Sequence, residues 1–332
     1  MSSTPLRWAL VGASDIAATR MIPAFRGAGH EVVIVQSGSP EWAAEYAAAH
    51  GIEAWTESVS EAVGREGVDA VYVSSRNEHH RAQVEAAAAA NRHVLSEKPL
   101  ALTVADAQAM VDACNAAGVV MATNHHLPAS PTHRTMKRLV AEGAVGEVRA
   151  IHISHAGGLP ERLRTWRLAD PVGGGVVLDV FVHDMAAVAA VIGGQARRVS
   201  SIARSAAAVP DSVVSVVEWD GDVIVQAHDA YDNFYLPTYF EILGTDGAIR
   251  ATECMTGDPI GDVTLFAGGT ATPVDVGPRD DLYLVTARAF ERAVAGGGEP
   301  VVSGHDGVRS LAAALAASAS LVSGCAEDVM RL

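Results

Sequence analysis

Apolar and polar residues divide the first 124 residues of the chain into short buried runs and longer alanine-rich or amphipathic segments. The short runs predict strands at residues 7–11, 31–36, 70–73, 93–95 and 119–122. The segments between them predict helices at 40–50, 79–90 and 103–117, with an earlier helix ending near residue 28. Strict alternation of strands and helices with short connections is typical of a parallel, doubly wound sheet.

The pattern changes after residue 124. A predicted helix at 132–141 is followed by strand-like runs at 149–155, 198–204, 212–219, 223–229 and 239–243. Consecutive strands without helices between them favour a mainly antiparallel sheet. A glycine run, residues 173–175, precedes a helix that carries Asp179 and His183, and two further helices are predicted near 281–295 and 307–323. We therefore predict an α/β chain of two domains, residues 1–124 and 125–332.

Composition and charge narrow the class of protein. The chain has 332 residues, of which 49% are hydrophobic and 19% charged, so it can bury more than one core and is not of disordered composition. A net charge of −15 argues against nucleic-acid binding. Three scattered cysteines fit a reducing compartment. With neither a leader pattern nor a clean apolar span, we expect a cytoplasmic protein that makes no membrane contact.

The turn after the first strand carries the first chemical signal, Gly12-Ala13-Ser14-Asp15-Ile16-Ala17. Gly12 allows a tight turn, and the amides at a helix start can bind a pyrophosphate, so the position suits a dinucleotide fingerprint. Ser14 replaces the second glycine of G-x-G-x-x-G, which leaves the fingerprint incomplete. We expect Asp15 to be the N-cap of the helix.

The end of the second strand bears on the choice between NADP and NAD. Its residues are Gln36-Ser37-Gly38-Ser39. NAD sites place a carboxylate here for the ribose hydroxyls, and this chain has none, which slightly favours NADP(H). No lysine or arginine follows closely, so NAD(H) stays an alternative.

A predicted strand runs directly into a Lys-Pro pair at Glu97-Lys98-Pro99. Proline lacks an amide hydrogen and fixes its backbone angle, so the strand must end there. Lys98 is then held at the carboxyl end of a strand, where open α/β sheets bind ligands. Taken alone, the pair also fits a solvated surface lysine.

Asp179 and His183 lie four residues apart in a predicted helix, which places both side chains on one face. The carboxylate can orient the imidazole or bind a substrate hydroxyl; the alternative is a helix cap and a buried histidine. His125 and His126 are adjacent, and no cysteine or carboxylate cluster accompanies them, so we expect no metal.

Together these features resemble the Gfo/Idh/MocA oxidoreductase family over nearly the whole chain. The shared motifs are residues 12–17, Glu97-Lys98-Pro99 and the stretch from Gly173 through Asp179 to His183-Asp184. The resemblance implies a Rossmann domain for residues 1–124 and a substrate and oligomerisation α+β domain with a large open sheet for residues 125–332. Within the family, the stretches 72–80, 123–127, 166–167 and 228–230 are similar to bacterial 1,5-anhydro-D-fructose reductases.

The resemblance also implies roles for individual residues. Catalysis is expected of Lys98, His183 and Asp179, and substrate binding of these three with His126 and Arg167. The expected cofactor-binding residues are Gly12, Ala13, Ser14, Asp15, Ile16, Ser37, Gly38, Trp42, Ser75, Arg76, Asn77, Glu78, His80, Glu97, Lys98, Asn124, Trp166, Arg167 and Tyr283. The Lys-Pro bond is often cis in this family.

The chain departs from the reductase pattern where the 2′-phosphate of NADP is recognised. Trp42 stands in place of an expected arginine in the second helix, and Gly38 in place of a hydroxyl residue. The strongest partner of the phosphate is therefore missing. We hypothesise that Arg76 supplies a replacement charge, and that Trp42 stacks on adenine or packs on the helix surface.

The predicted function is NADP(H)-dependent reduction of the keto group of a sugar such as 1,5-anhydro-D-fructose, giving 1,5-anhydro-D-mannitol. We expect His183 to be the general acid and Lys98 to polarise the carbonyl, with the reverse assignment left open. The alternatives are an NAD-dependent dehydrogenase of a cyclic polyol or aldose and a non-catalytic dinucleotide-sensing regulator. The expected binding partner is a keto-sugar or polyol. We expect either a homodimer formed through the C-terminal sheet or a monomer.

Overall fold

A computed structural model describes residues 5–205 and 208–332. Its residues group into two compact units, Met1–His125 with Tyr283–Val308, and His126–Leu282 with Arg309–Leu332. The predicted domain boundary divides the chain once, whereas the segment Tyr283–Val308 groups with the first unit. As a division between cofactor and substrate functions, the boundary stays a prediction.

The first unit is built on a six-stranded parallel sheet. Its strands are β1 (Arg7–Val11), β2 (Glu31–Gln36), β3 (Ala54–Thr56), β4 (Ala70–Val73), β5 (His93–Ser96) and β6 (Met121–Thr123). They stand in the order β3-β2-β1-β4-β5-β6, which confirms the predicted doubly wound sheet. The strand order reverses between β1 and β4. Open sheets of this kind bind ligands outside the carboxyl ends of the strands at such a reversal.

Five helices alternate with these strands: α1 (Ile22–Gly27), α2 (Pro40–His50), α3 (Val59–Gly64), α4 (His80–Ala89) and α5 (Val104–Ala117). Three of them start at a side-chain cap, because Ser39, Ser58 and Thr103 each accept the amide hydrogen of the residue three positions later. Such a cap satisfies a donor that the helix start leaves unpaired. Pro40 occupies the first turn of α2, where its missing N–H has no cost.

The second unit is built on a nine-stranded sheet. Its strands are β7 (Val148–Ala156), β8 (Ala196–Arg204), β9 (Ser212–Trp219), β10 (Val223–Ala230), β11 (Tyr239–Gly244), β12 (Gly247–Thr252), β13 (Asp262–Ala267), β14 (Thr270–Val274) and β15 (Glu327–Asp328). The order is β14-β13-β12-β11-β7-β10-β9-β8-β15. Of the described neighbouring pairs, β7 and β10 run parallel and the others antiparallel. The predicted large, mainly antiparallel sheet is confirmed.

The second unit contains α6 (Pro131–Ala141), α7 (Trp166–Ala169), α8 (Val182–Ile192) and most of α10 (Gly304–Ser323), whereas α9 (Leu282–Val294) groups almost wholly with the first unit. Alternation along β9 shows which face of the sheet is covered: Val213 and Val217 are buried, whereas Val214 and Val216 are exposed. One face therefore lies in the core and the other carries apolar side chains at the surface. In the described ranges, no helix has the length and apolar composition needed to cross a membrane.

Two helices begin with a π-helical turn, Ala17–Met21 before α1 and Val177–Phe181 before α8. Such turns are rare and occur frequently at functional sites. The second one contains Asp179 and leads directly into α8, so Asp179 and His183 lie on one continuous helical segment.

Candidate active site

Gly12 forms the turn after β1, at the point where the strand order reverses. Its φ is +104°, which L side chains rarely adopt, and a Cβ atom would lie 2.6 Å from the amide nitrogen of Ser75. Its own amide donates to the carbonyl of Gln36 at 3.0 Å. Glycine is required here because no side chain fits between the turn and the segment after β4.

Ser14 links this turn to the helix and to β4. Its hydroxyl donates to the hydroxyl of Ser74 at 2.8 Å, and Ser74 donates to the Gly12 carbonyl at 3.1 Å. The Ser14 oxygen also accepts the amide hydrogen of Ala17 at 3.2 Å. Ser14 is thus the capping residue, and the prediction that Asp15 caps the helix is wrong, because Asp15 already lies inside the first helical turn.

Two aromatic side chains of α2 donate to carbonyl groups of the same turn. The indole nitrogen of Trp42 lies 3.1 Å from the Ala13 oxygen, and the Tyr46 hydroxyl lies 2.9 Å from the Ser14 oxygen. Trp42 nevertheless remains 50% exposed. One edge of the indole is therefore fixed at the turn after β1, while half of the side chain is open to a ligand.

Several of the residues expected to bind the cofactor lie at or near the surface of the first unit. Ser37 is half-buried and Gly38 is exposed after β2, and Ile16 is half-buried in the first turn of the helix. Arg76 is exposed after β4. An exposed guanidinium in this segment can bind a phosphate without breaking a buried contact.

The segment after β4 is tied down by its own side chains. The Ser75 hydroxyl donates to Gln83 at 2.6 Å, Asn77 is buried and Glu78 is exposed. His80 is fully buried, with one ring nitrogen 3.2 Å from the Ser75 carbonyl. Its other nitrogen lies 3.2 Å from the carbonyls of the two residues that follow Lys98. The His80 ring thus connects this segment to the Lys98 loop.

Glu97 is the centre of a hydrogen-bonded group at the ends of β4, β5 and β6. Its Oε1 accepts from the Tyr72 hydroxyl at 2.5 Å and from the side-chain amide of Asn124 at 2.6 Å. Burial raises the pKa of Glu97, and these two donors partly oppose that shift. The Asn124 oxygen is buried and has no hydrogen-bond partner in the structure. An amide or hydroxyl of a bound cofactor would satisfy it, so this site fits a nicotinamide nucleotide.

Lys98 follows Glu97 and is joined to Pro99 by a cis peptide bond. Its amide donates to Glu97 Oε2 at 3.3 Å. Burial, and secondly the charge of Lys98, lower the pKa of His125 to about 3, so His125 is neutral at physiological pH. Tyr283, at the start of α9, is buried with the Arg20 guanidinium 5.7 Å from its ring centre.

In the second unit, the glycine run holds the short helix α7. A Cβ atom on Gly174 would lie 2.6 to 2.9 Å from the carbonyl oxygens of Asp170, Trp166 and Arg167. The Gly175 amide donates to the Arg167 carbonyl at 2.8 Å. The run therefore brings α7 against the segment that carries Asp179, and its glycines are needed for that approach.

Asp179 is held by two donors on one oxygen. Arg167 Nε lies 3.1 Å and the Tyr231 hydroxyl 2.9 Å from Asp179 Oδ2. Trp166 completes the group, since the Arg167 guanidinium lies 4.8 Å from its ring centre. Tyr231 was not predicted; the signal that points to it is its position directly after β10, at the end of His228-Asp229-Ala230.

His183 lies one turn beyond Asp179 and is buried, 6% exposed. Its ring meets the half-buried ring of His126 edge to face, with centroids 4.7 Å apart. A second imidazole in this contact can orient the His183 ring.

The predicted site residues thus form one set in each unit. The first unit holds the turn after β1, the Glu97 group, Lys98 and Tyr283; the second holds Trp166, Arg167, Asp179, His126 and His183. In the second unit, contacts join Trp166, Arg167 and Asp179, and separately join His126 to His183. The individual cofactor, substrate and catalytic roles stay predictions.

Two family models match the chain. Residues 6–125 match the oxidoreductase family with an NAD-binding Rossmann fold, and residues 133–250 match the GFO/IDH/MocA C-terminal domain.

Known proteins match over almost the full length. The chain is 43% identical over 330 residues to the 1,5-anhydro-D-fructose reductase of Ensifer adhaerens, covering 97% of this chain and 98% of the relative. It is 26% identical to a D-xylose 1-dehydrogenase (NADP(+)) of Haloferax volcanii, covering 91% and 93%. An aldose-aldose oxidoreductase of Caulobacter crescentus, solved with glycerol, has the same fold, with a TM-score of 0.88, 24% identity and 98% and 100% coverage. The chain belongs to the Gfo/Idh/MocA family of oxidoreductases.

Proposed function

We propose that this enzyme is an NADP(H)-dependent reductase of a keto-sugar like 1,5-anhydro-D-fructose, which it converts to 1,5-anhydro-D-mannitol. The observation that carries the proposal is the 43% identity to a 1,5-anhydro-D-fructose reductase over 97% of the chain. The connected groups around Glu97 and Asp179 support it, because each provides polar side chains suited to a cofactor or a sugar hydroxyl.

A bound nicotinamide nucleotide supplies the hydride in this reaction. Lys98 polarises the substrate carbonyl, and His183 donates the proton to the oxygen that becomes the new hydroxyl. Asp179, fixed by Arg167 and Tyr231, accepts a hydrogen bond from a substrate hydroxyl and so orients the sugar. His126 contacts His183 and contributes to substrate binding.

The chain's own residues give NADP(H) a slight advantage over NAD(H), since β2 ends without a carboxylate. Trp42 carries no positive charge for the 2′-phosphate, and Arg76 provides that charge instead. We expect Arg76→Ala to weaken NADPH binding about tenfold or more while NADH binding is unchanged, because a lost charged contact acts on the phosphate alone. An unchanged ratio of the two dissociation constants would refute this role of Arg76.

The exposed apolar face of the nine-stranded sheet supports a homodimer. Ile202, Val214, Val216 and Ile224 lie on three neighbouring strands of that face and are 43% to 79% exposed. Apolar positions on adjacent strands are typical of a protein interface. Light scattering should give twice the mass of one chain; a monomer mass at micromolar concentration would contradict the dimer.

Steady-state turnover tests the proposed function. The purified enzyme is assayed with NADPH and NADH against 1,5-anhydro-D-fructose, simple aldoses and cyclic polyols. We expect the highest kcat/KM with NADPH and the anhydro-keto-sugar. Preferred oxidation of a polyol or aldose with NAD would indicate a dehydrogenase, and tight dinucleotide binding without turnover would indicate a sensor.

A further inference from the structure

Three ligand-type side chains converge in the second unit, outside the proposed catalytic set. His155 on β7 and Asp229 on β10 face each other in the register of the parallel strand pair. Asp184, in the first turn of α8, brings its Oδ1 within 2.7 Å of His155 Nδ1. One ligand atom from each of the three residues lies within 4.8 Å of the others.

The two carboxyl groups are buried with most of their hydrogen-bonding capacity unused. Asp184 and Asp229 are both 0% exposed. Apart from the contact between the two carboxyl groups themselves, both oxygens of Asp229 and the Oδ2 of Asp184 are buried without a hydrogen-bond partner. In the described part of the chain, neither carboxylate pairs with a lysine or arginine. Buried carboxylates without counter-charges are very unfavourable, and a protonated His155 would balance only one of the two, so the cluster requires a further neutralising group.

Two further buried side chains lie near the cluster. His133 is 1% exposed, and its Nε2 is another buried nitrogen without a hydrogen-bond partner. Cys254 is also 1% exposed.

The donor set is that of a divalent transition metal. One imidazole nitrogen and two carboxylates suit Zn²⁺ and Mn²⁺, and two carboxylates balance a charge of +2. Ligands about 2.0–2.2 Å from one ion lie roughly 3 to 3.6 Å apart, so the His155–Asp184 contact of 2.7 Å would lengthen by less than about 1 Å on binding.

We propose that His155, Asp184 and Asp229 form a structural site for one divalent transition-metal ion. The ion fastens α8 to β7 and β10, and the site is independent of the proposed hydride transfer. No step of the proposed reduction uses it, so failure of this inference leaves the proposed function intact.

Metal analysis of the full-length enzyme tests the site. The protein is produced in medium supplemented with Zn²⁺ and Mn²⁺, dialysed and measured by mass spectrometry for metals. We expect about one ion per chain. A chelator should lower the melting temperature, and re-addition of Zn²⁺ or Mn²⁺ should restore it.

Two variants and a matched control locate the ion. Asp229→Asn and His155→Ala should each lose the metal and its thermal effect. Asp222→Asn changes an exposed carboxylate just before β10 and should keep both. The inference is overturned if the unmodified protein holds less than about a tenth of an ion per chain and neither metal shifts its melting temperature. A proton shared by the two carboxyls would then neutralise the cluster. Equal metal content in all three variants would also overturn it.

Discussion

A single oxygen of Asp179 accepts hydrogen bonds from both Arg167 and Tyr231. Two donors, one of them cationic, hold the carboxylate in place and set the direction of its other oxygen. In the proposed mechanism this geometry places a substrate hydroxyl, so Tyr231 acts through Asp179 as a positioning residue.

Tyr231→Phe removes one of these donors without changing the ring. A hydrogen bond to a charged group contributes about 1.5–3 kcal/mol, so kcat/KM should fall roughly ten- to hundredfold. The dissociation constant of NADPH should not change. Tyr239→Phe, on the same sheet but outside the Asp179 group, is the control. If both variants retained full kcat/KM, Tyr231 would have no part in positioning.

His125 offers a pH test in the first unit. Its pKa is about 3 in the folded protein, below the ordinary value near 6.5, because the ring is buried. As the pH falls from 6.5 towards 3, the unfolded chain therefore takes up a proton at His125 that the folded chain does not bind. The free energy of unfolding decreases over that pH range. One proton corresponds to about 1.4 kcal/mol per pH unit.

His125→Gln should make the acid-induced loss of unfolding free energy shallower by that amount, measured between pH 6.5 and 4.5. An unaltered slope in His125→Gln would show that this ring does not titrate as described.

Single-residue roles could be predicted only where the residue lies in a motif. Lys98 and His183 stand in recognisable stretches, but Tyr231 becomes significant only once β10 ends beside the π-helical turn. The capping role of Ser14 was also not predicted, because a serine at the position of the second glycine was interpreted only as a departure from the fingerprint.

Among the elements, the parallel sheet could be predicted from the alternating pattern. Its strands are buried on both faces, so each one appears in the sequence as a continuous apolar run. The three-residue strand β3 was missed, since so short a run has no periodicity. The π-helical turns were missed as well; their apolar spacing does not differ visibly from that of an α-helix.

The turn after β1 allows an element-level prediction. Gly12→Ala should reduce the unfolding free energy by about 3 kcal/mol or more and abolish NADPH binding, because the new methyl group meets the Ser75 amide at a positive φ. Gly64→Ala is the control, since its added carbon meets nothing within 4 Å. Calorimetry and NADPH titration of both variants check it. NADPH affinity that survived in Gly12→Ala would contradict the assignment of this turn to the pyrophosphate.

For the whole molecule, the sequence predicted two domains with different kinds of sheet. It did not predict that the segment Tyr283–Val308 groups with the first unit. That grouping depends on long-range pairing, such as the bridge between Ala122 and Ser303 and the bond from the Thr123 amide to the Val302 carbonyl. The cluster of His155, Asp184 and Asp229 could not be predicted for the same reason, because its members are separated by 29 or more residues in the sequence.

We propose that Lys98 and His183 perform the proton chemistry of one reduction. The measurement that tests this is the turnover number of Lys98→Ala and His183→Ala with NADPH and 1,5-anhydro-D-fructose, taken together with the dissociation constant of NADPH. We expect each variant to lose on the order of a hundredfold or more in kcat while NADPH still binds. Near-normal kcat in both variants would contradict it.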